Sequence, residues 1–218
     1  MSASSGMSAS TKLSQTVPIE GDQRTAACTK PRVRDRIFET ACDLFYKHGI
    51  RDVGVNTIAA EAGTNKMSFY RSFESKDQLV AQYLERKSSE FWSRWDDVVA
   101  PHDGDARRQI EALFDAFVVA DCFESARGCA LANASMELAE EEHPGRQVAI
   151  KQKSEMRRRF RDMAAKAGAP KSDELGDALM LVMEGGYLTR RTFGNRNGPL
   201  QNAALTARVL LDAYTSVR

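Results

Sequence analysis

No run of 18 apolar residues occurs anywhere in the 218-residue chain, so a membrane-spanning helix is not expected. Cysteine is scarce. Cys28, Cys42, Cys122 and Cys129 form no C-x-x-C pair and match no zinc spacing, which argues for free thiols in a reducing cytoplasm rather than a disulfide framework. The three histidines, His48, His102 and His143, stand apart with no H-x-x-x-H. The run Glu140, Glu141, Glu142, His143 offers metal-ligand chemistry, but an acidic loop before Pro144 explains it more simply. There is no G-x-S-x-G elbow, no phosphate-cradling glycine loop and no dinucleotide fingerprint, so no cofactor is expected and nothing catalytic is visible. Neither charge dominates: 31 Lys and Arg face 30 Asp and Glu, so bulk charge does not make the molecule a polyanion binder. Period-two alternation is missing too, which excludes a sheet protein and leaves an all-α fold of about nine helices.

What is present is concentrated between Ile37 and Leu79. A helical repeat (Val33, Ile37, Ala41, Leu44, Phe45) runs from about Arg32 to Lys47 and stops at Gly49. A short helix from about Val55 to Ala62 ends at Gly63, and a second spans about Asn65 to Phe73. Ser75 then caps a long helix with the stripe Val80, Leu84, Phe91, Trp95. Two short helices joined by a glycine turn, braced by a third, form a helix-turn-helix whose second helix is built to enter a DNA major groove. The expected organisation is a disordered Ser/Thr/Ala-rich tail over 1–29, in which Met7 is an alternative start. A DNA-binding domain over 30–78 and a ligand-binding and dimerisation domain over 79–218 follow.

At the expected recognition helix, Asn65 is either a helix cap or a reader of adenine, and Thr64 beside it can also cap. Lys66 suits guanine acceptors or a phosphate. Met67 suits a thymine methyl. Ser68, Tyr70 and Arg71 offer donors to the backbone, and Lys76 joins a cation to the positive end of the long helix, a phosphate site. Asn56 lies near the groove edge. Lys30, Arg32 and Arg34 form a basic arm or a solvated flank.

Beyond residue 79, charge alternates. Residues 96–142 carry three cations against twelve acids, and residues 143–171 nine against two, so the basic run Lys151–Arg161 is expected to pair with the acidic segment. Further helices are expected at about 110–118, 129–138, 144–167, 173–193 and 199–217. Most of the aromatic and methionine residues here are core, but in a helical bundle some line a cavity. Trp92, Trp95, Phe114, Phe117, Met183 and Tyr187 are the apolar candidates, and Cys122, Asn133 and Glu137 the polar ones. Small or apolar residues Ala178, Val182 and Gly186 on one helix, and Ala203, Ala204, Ala207, Leu210, Leu211 and Tyr214 on the last, suit a close interface between helices and are expected at a dimer seam rather than in the core of a monomer.

The segments IFETACDLFYKHG, TIAAEAG and SFYRSFESKDQL resemble the TetR/AcrR family of transcriptional regulators over residues 32–80, in the spacing I-A-x-x-A-G, Y-x-x-F, S-K-x-x-L. The resemblance implies a homodimer that binds an inverted-repeat operator in double-stranded DNA and is released, as a repressor, by a small effector. It also implies a four-helix bundle formed by the last two helices of each subunit. Two positions depart from the family pattern: Gly54 stands where Thr or Ser caps the second helix, and Met67 where a small residue is common. Two other classes fit the chain: a redox-responsive DNA-binding regulator acting through Cys122 and Cys129, and a helical enzyme using the C-terminal cavity.

Overall fold

Helix boundaries follow the caps and breakers. The computed structural model describes residues 32–119, 128–194 and 198–216; the expected tail and Cys122 lie outside them. Nine α-helices, and no strand, occur among the described residues: α1 Val33–His48, α2 Val55–Glu61, α3 Lys66–Ser72, α4 Lys76–Val99, α5 Ala106–Val119, α6 Ala130–Glu137, α7 Pro144–Lys166, α8 Ser172–Phe193 and α9 Ala203–Thr215. Gly49 stops α1 at φ +94°, a conformation that side chains with a Cβ resist. Gly63 turns α2 into α3 at φ +61°. Ser75 caps α4 by accepting from the Gln78 amide at 3.1 Å. Pro144 takes the first turn of α7, where no amide donor is needed. At α8 the cap is Lys171, with no side-chain bond, and Ser172 is the first helical residue.

Two apolar cores result. One gathers Ile37, Ala41, Phe45, Ile58, Phe69 and Phe73 from α1 to α3 with Leu79, Val80, Tyr83 and Leu84 at the start of α4. The other gathers Trp95, Ile110, Phe114, Phe117, Met156, Phe160, Leu179, Met183 and Leu211 from α4, α5, α7, α8 and α9. Helix α4 runs through both. Helix α6 gives Leu131, Ala134 and Leu138 to the N-terminal core, although it comes late in the chain. Burying each large side chain contributes about 1.5–3 kcal/mol before entropy is counted.

The basic face of α7 pairs mainly with α8. Arg157 and Arg161 reach Asp177 at 2.6 and 2.7 Å, Arg161 also reaches Asp173, and Lys153 reaches Glu184 at 2.6 Å. Among the described residues, the acid of the segment 96–142 that the α7 cations reach is Asp96, bonded to Arg159 at 2.7 Å. The reason is register: α7 and α8 are antiparallel neighbours, and the acids at 173, 177 and 184 recur at helical spacing along their seam.

Candidate nucleic-acid interface and effector cavity

Helix α3 is short, and its sequence sorts its two sides. Phe69 is fully buried, packing on Phe73 with ring centroids 5.8 Å apart. Lys66, Met67, Tyr70 and Arg71 therefore project outward. Asn65 is the cap: its side chain accepts from the Ser68 amide at 2.9 Å, so the carboxamide oxygen is committed to the helix rather than to a base. Thr64 is half-buried beside it and Ser68 half-buried behind it. Tyr70 stands edge-on to Phe69, with the Lys66 ammonium 5.9 Å from its ring centroid. The Arg71 guanidinium reaches the Met67 sulfur at 3.6 Å, which splays both along the exposed face. Asn56 is exposed on α2. Lys76 opens α4; burial draws its pKa below the ordinary lysine value, opposed by Asp77, Glu137 and Asp52.

The scaffold behind α3 is tied to α4. Arg34 donates to Gln82 Oε1 at 2.8 Å and stacks 4.7 Å over the Phe73 ring. Arg34 is thus a helical residue held in place, not part of a free arm; Lys30 lies outside the described residues. Arg86 lies 4.8 Å over Phe38 and bonds Glu39 at 2.6 Å. Arg36 donates to the Ala62 carbonyl at the end of α2. These braces set the angle between α1 and the helix pair.

In the C-terminal core, an apolar chamber of about 160 Å³ opens between α4, α5 and α8, lined by Phe91, Arg94, Trp95, Val98, Leu113, Ala116, Phe117, Met183 and Tyr187. Trp95, Phe117, Met183 and Tyr187 thus come together as expected candidates. Phe114 does not: it is fully buried, stacked on Phe160 at 5.9 Å, because it points one face further round α5. Trp92 does not either. It faces the opposite groove between α4 and α7, with the Arg159 guanidinium 4.1 Å from its ring. Asn133 lies at the α6–α8 contact, 3.5 Å from Arg191. Glu137 lies outside the chamber and binds backbone: its carboxylate accepts from the Ile50 amide at 2.6 Å and the Arg51 amide at 3.3 Å, in the turn between α1 and α2. Sequence reasoning missed Arg94. Its spacing from Phe91 and Val98, three and four residues away, is the signal that places it on the chamber face.

A second, polar cavity of about 300 Å³ adjoins the chamber and shares Phe91, Arg94 and Tyr187 with it. It reaches Cys42, Asp43 and Tyr46 on α1, and Cys129, Ala130 and Leu131 at the start of α6. Burial pushes the Cys42 thiol up to about 12. Cys129 differs: its sulfur lies 3.6 Å from the Lys153 ammonium. Burial opposes that ammonium's charge, but Cys129 and Glu184 outweigh it and its pKa is raised. Burial raises the Tyr187 hydroxyl well above its ordinary value.

The sequence profile of the family described as bacterial regulatory proteins, tetR family, matches residues 37–83. A solved structure assigned to a TetR-type transcriptional regulator of Streptomyces avermitilis superposes with a TM-score of 0.73 at 30% identity, covering 84% of this chain and 98% of that one. The chain belongs to the TetR family. SCO4454, a TetR-family transcriptional regulator from Streptomyces coelicolor, shares the fold at a TM-score of 0.74 and 24% identity, over 84% of this chain and 96% of its own. The HTH-type transcriptional repressor SCO4008 of Streptomyces coelicolor is 40% identical over 62 residues. That match spans 28% of this chain and about a third, 32%, of the repressor's length.

In this TetR-family chain, the expected interface residues divide. Gly186, Ala203, Ala204, Ala207 and Leu211 are buried within the single chain; a Cβ on Gly186 would lie 2.4 Å from Phe117. They pack α8 and α9 against α5, so a partner cannot reach them, and the assignment to a dimer interface is corrected. Ala178, Val182, Leu210 and Tyr214 remain half-buried. The face left open carries Leu181, Leu188, Leu205 and Val209, 57–73% exposed, with Gly185 between the two leucines of α8. Among the described residues no helix is long and apolar enough to cross a membrane.

Proposed function

We propose that this protein is a DNA-binding transcriptional regulator rather than an enzyme, a homodimer that represses from an inverted-repeat operator and is released by a small, mostly apolar effector. The observation that carries the reading is helix α3: capped by Asn65, clamped by buried Phe69, and presenting Lys66, Met67, Tyr70 and Arg71 outward together. Residues 32–78 would form the DNA-binding unit. Lys66 and Met67 would meet base edges, while Tyr70, Arg71, Ser68 and Lys76 would meet phosphates, with Thr64 and Asn56 at the groove margin. The leucine-rich open face of α8 and α9 supports a twofold four-helix contact, since exposed apolar side chains gathered on one face favour association. The chamber beside Trp95, Phe117 and Met183 supports the effector site.

Helix α6 supplies the route between the two. Its first residues line the polar cavity, and Glu137 at its end holds the turn before α2. An effector that shifts α6 would release that turn, and operator DNA would weaken effector binding by the same factor. A thiol-based regulator is the second reading, favoured by the Cys129–Lys153 contact; operator affinity unchanged by mild oxidation would remove it. The first reading is tested by selecting duplexes from a random pool with the whole protein. An inverted repeat with half-sites about 34 Å apart, or somewhat more, is expected. Recovery of no preferred sequence would refute it.

A further inference from the structure

Helices α4 and α7 are pinned together at both ends of their contact. A Cβ on Gly145 would lie 2.8 Å from Val80 at one end. At the other, Trp95 meets Phe160 with ring centroids 4.9 Å apart and Arg159 bonds Asp96 at 2.7 Å. Between these contacts a groove of about 580 Å³ opens, and it shares no lining residue with the chamber or the polar cavity. It has room for two fused rings, since an apolar cavity of about 150 Å³ accepts benzene.

Gln152, near the middle of α7, lines this groove and is only 2% exposed. Its carboxamide oxygen and nitrogen are both closed to water, and neither has a hydrogen-bond partner among the described residues. Buried polar groups are nearly always paired, and one left unpaired is costly. The surface around it is mainly apolar, with Trp92 of α4 as the aromatic wall and Val148 of α7 beside it. A carboxamide presents an acceptor and a donor side by side, so it pairs with an edge that carries the same two groups, as glutamine does with adenine. The carboxamide is neutral, and a charged group set against it would gain no counter-ion there.

We propose that the α4–α7 groove is a second ligand site, apart from the chamber, for a neutral fused-ring heteroaromatic with a donor and an acceptor side by side on one edge. Its rings lie along Trp92 and that edge pairs with Gln152. On binding, the carboxamide turns about its own side-chain torsions to face the groove, and with no hydrogen bond to break it turns at little cost. Full-length protein is titrated calorimetrically with isoquinolin-1-one, a neutral two-ring lactam. The comparison probes are isocoumarin, which has a ring oxygen in place of the lactam N–H, and 1-naphthoate. The lactam should bind the wild type at least about tenfold more tightly than either. Gln152→Leu should reduce lactam affinity to that of isocoumarin without lowering the melting temperature, because an apolar side chain of similar size replaces an unpaired amide. Ser89→Trp, at an exposed position on the groove wall, should abolish binding, and Met183→Trp in the chamber should leave it unchanged. Isocoumarin or naphthoate bound as tightly as the lactam overturns the paired edge, and this comparison on the wild type needs no variant. A Gln152→Leu protein that melts well below the wild type shows a carboxamide already paired, and overturns the proposal. Lactam binding that survives Ser89→Trp, or is lost in Met183→Trp, overturns the groove as the site. No lactam binding at millimolar concentration overturns the site as a whole.

Discussion

Removing the Glu137 carboxylate should loosen the helix-turn-helix without touching it directly. The carboxylate accepts from the amides of Ile50 and Arg51, and Ile50 is 5% exposed, so truncation leaves a buried donor with no partner. Such a donor costs about 1–3 kcal/mol. Taking ~2 kcal/mol, Glu137→Ala should lower the melting temperature by about 4–8 °C for a chain of this length. Glu137→Gln keeps one acceptor oxygen and loses the charge, so it should lie between the wild type and Ala. Gly49 gives an independent check. A Cβ there would sit 3.1 Å from the same carboxylate, at φ +94°. Gly49→Ala should therefore cost backbone strain plus a clash, and the clash part should vanish when Glu137→Ala is already present, giving less-than-additive losses in the double variant. Amide hydrogen exchange supplies the local readout: protection at Ile50 and Arg51 should fall in Glu137→Ala before any global unfolding. Unchanged melting and unchanged protection at both amides would show that the contact carries no stability and that α6 does not hold the turn.

Leu205→Glu or Leu188→Glu should convert a dimer to a folded monomer, measured by mass in solution, because the charge enters an open apolar seam; Ala207→Glu should unfold the chain instead, since Ala207 is fully buried. A wild-type monomer would end the dimer reading. In operator titrations, Tyr70→Phe and Lys76→Ala should weaken binding to all sequences alike, Asn65→Ala should do the same by uncapping α3, and Lys66→Ala should change base preference; equal loss on every sequence for Lys66→Ala would refute its place at the bases. Arg157 and Arg161 hold the Asp177 carboxyl well below its ordinary value of 3.8, so its stabilisation is present above that value and is lost as pH falls through the depressed one. The melting-temperature gap between the wild type and Asp177→Asn should be small, because the pair is largely solvated, and should close in strong acid; a gap that widens below pH 3.8 would reverse the sign of this argument.

The helix-turn-helix was legible because its signals are local. Gly49 and Gly63 stop helices, Ser75 caps one, and Phe69 and Phe73 have the spacing of anchors. The choice between cap and reader at Asn65 was not legible, since both roles need the same carboxamide in the same place. Only the extended backbone of Asn65 and the 2.9 Å bond to Ser68 separate them. Glu137 was misread for a different reason. Its partner is the backbone 87 residues earlier, and a main-chain amide leaves no mark in a sequence.

The interface misreading exposes a limit of periodicity itself. Helix α8 is apolar on two stripes. Leu175, Leu179, Met183, Gly186 and Tyr187 face inward, and Ala178, Leu181, Val182, Gly185 and Leu188 face outward or along the margin. Both stripes repeat at three and four residues, so both satisfy the helical pattern equally. Small residues on either stripe permit close approach, and Gly186 uses that permission toward Phe117 inside the same chain. A helix that is apolar most of the way round must be covered twice, and one of the two covers belongs to its own fold. The leucines at 181 and 188 mark the stripe still uncovered, and that side of α8 is where a second chain has a reason to bind.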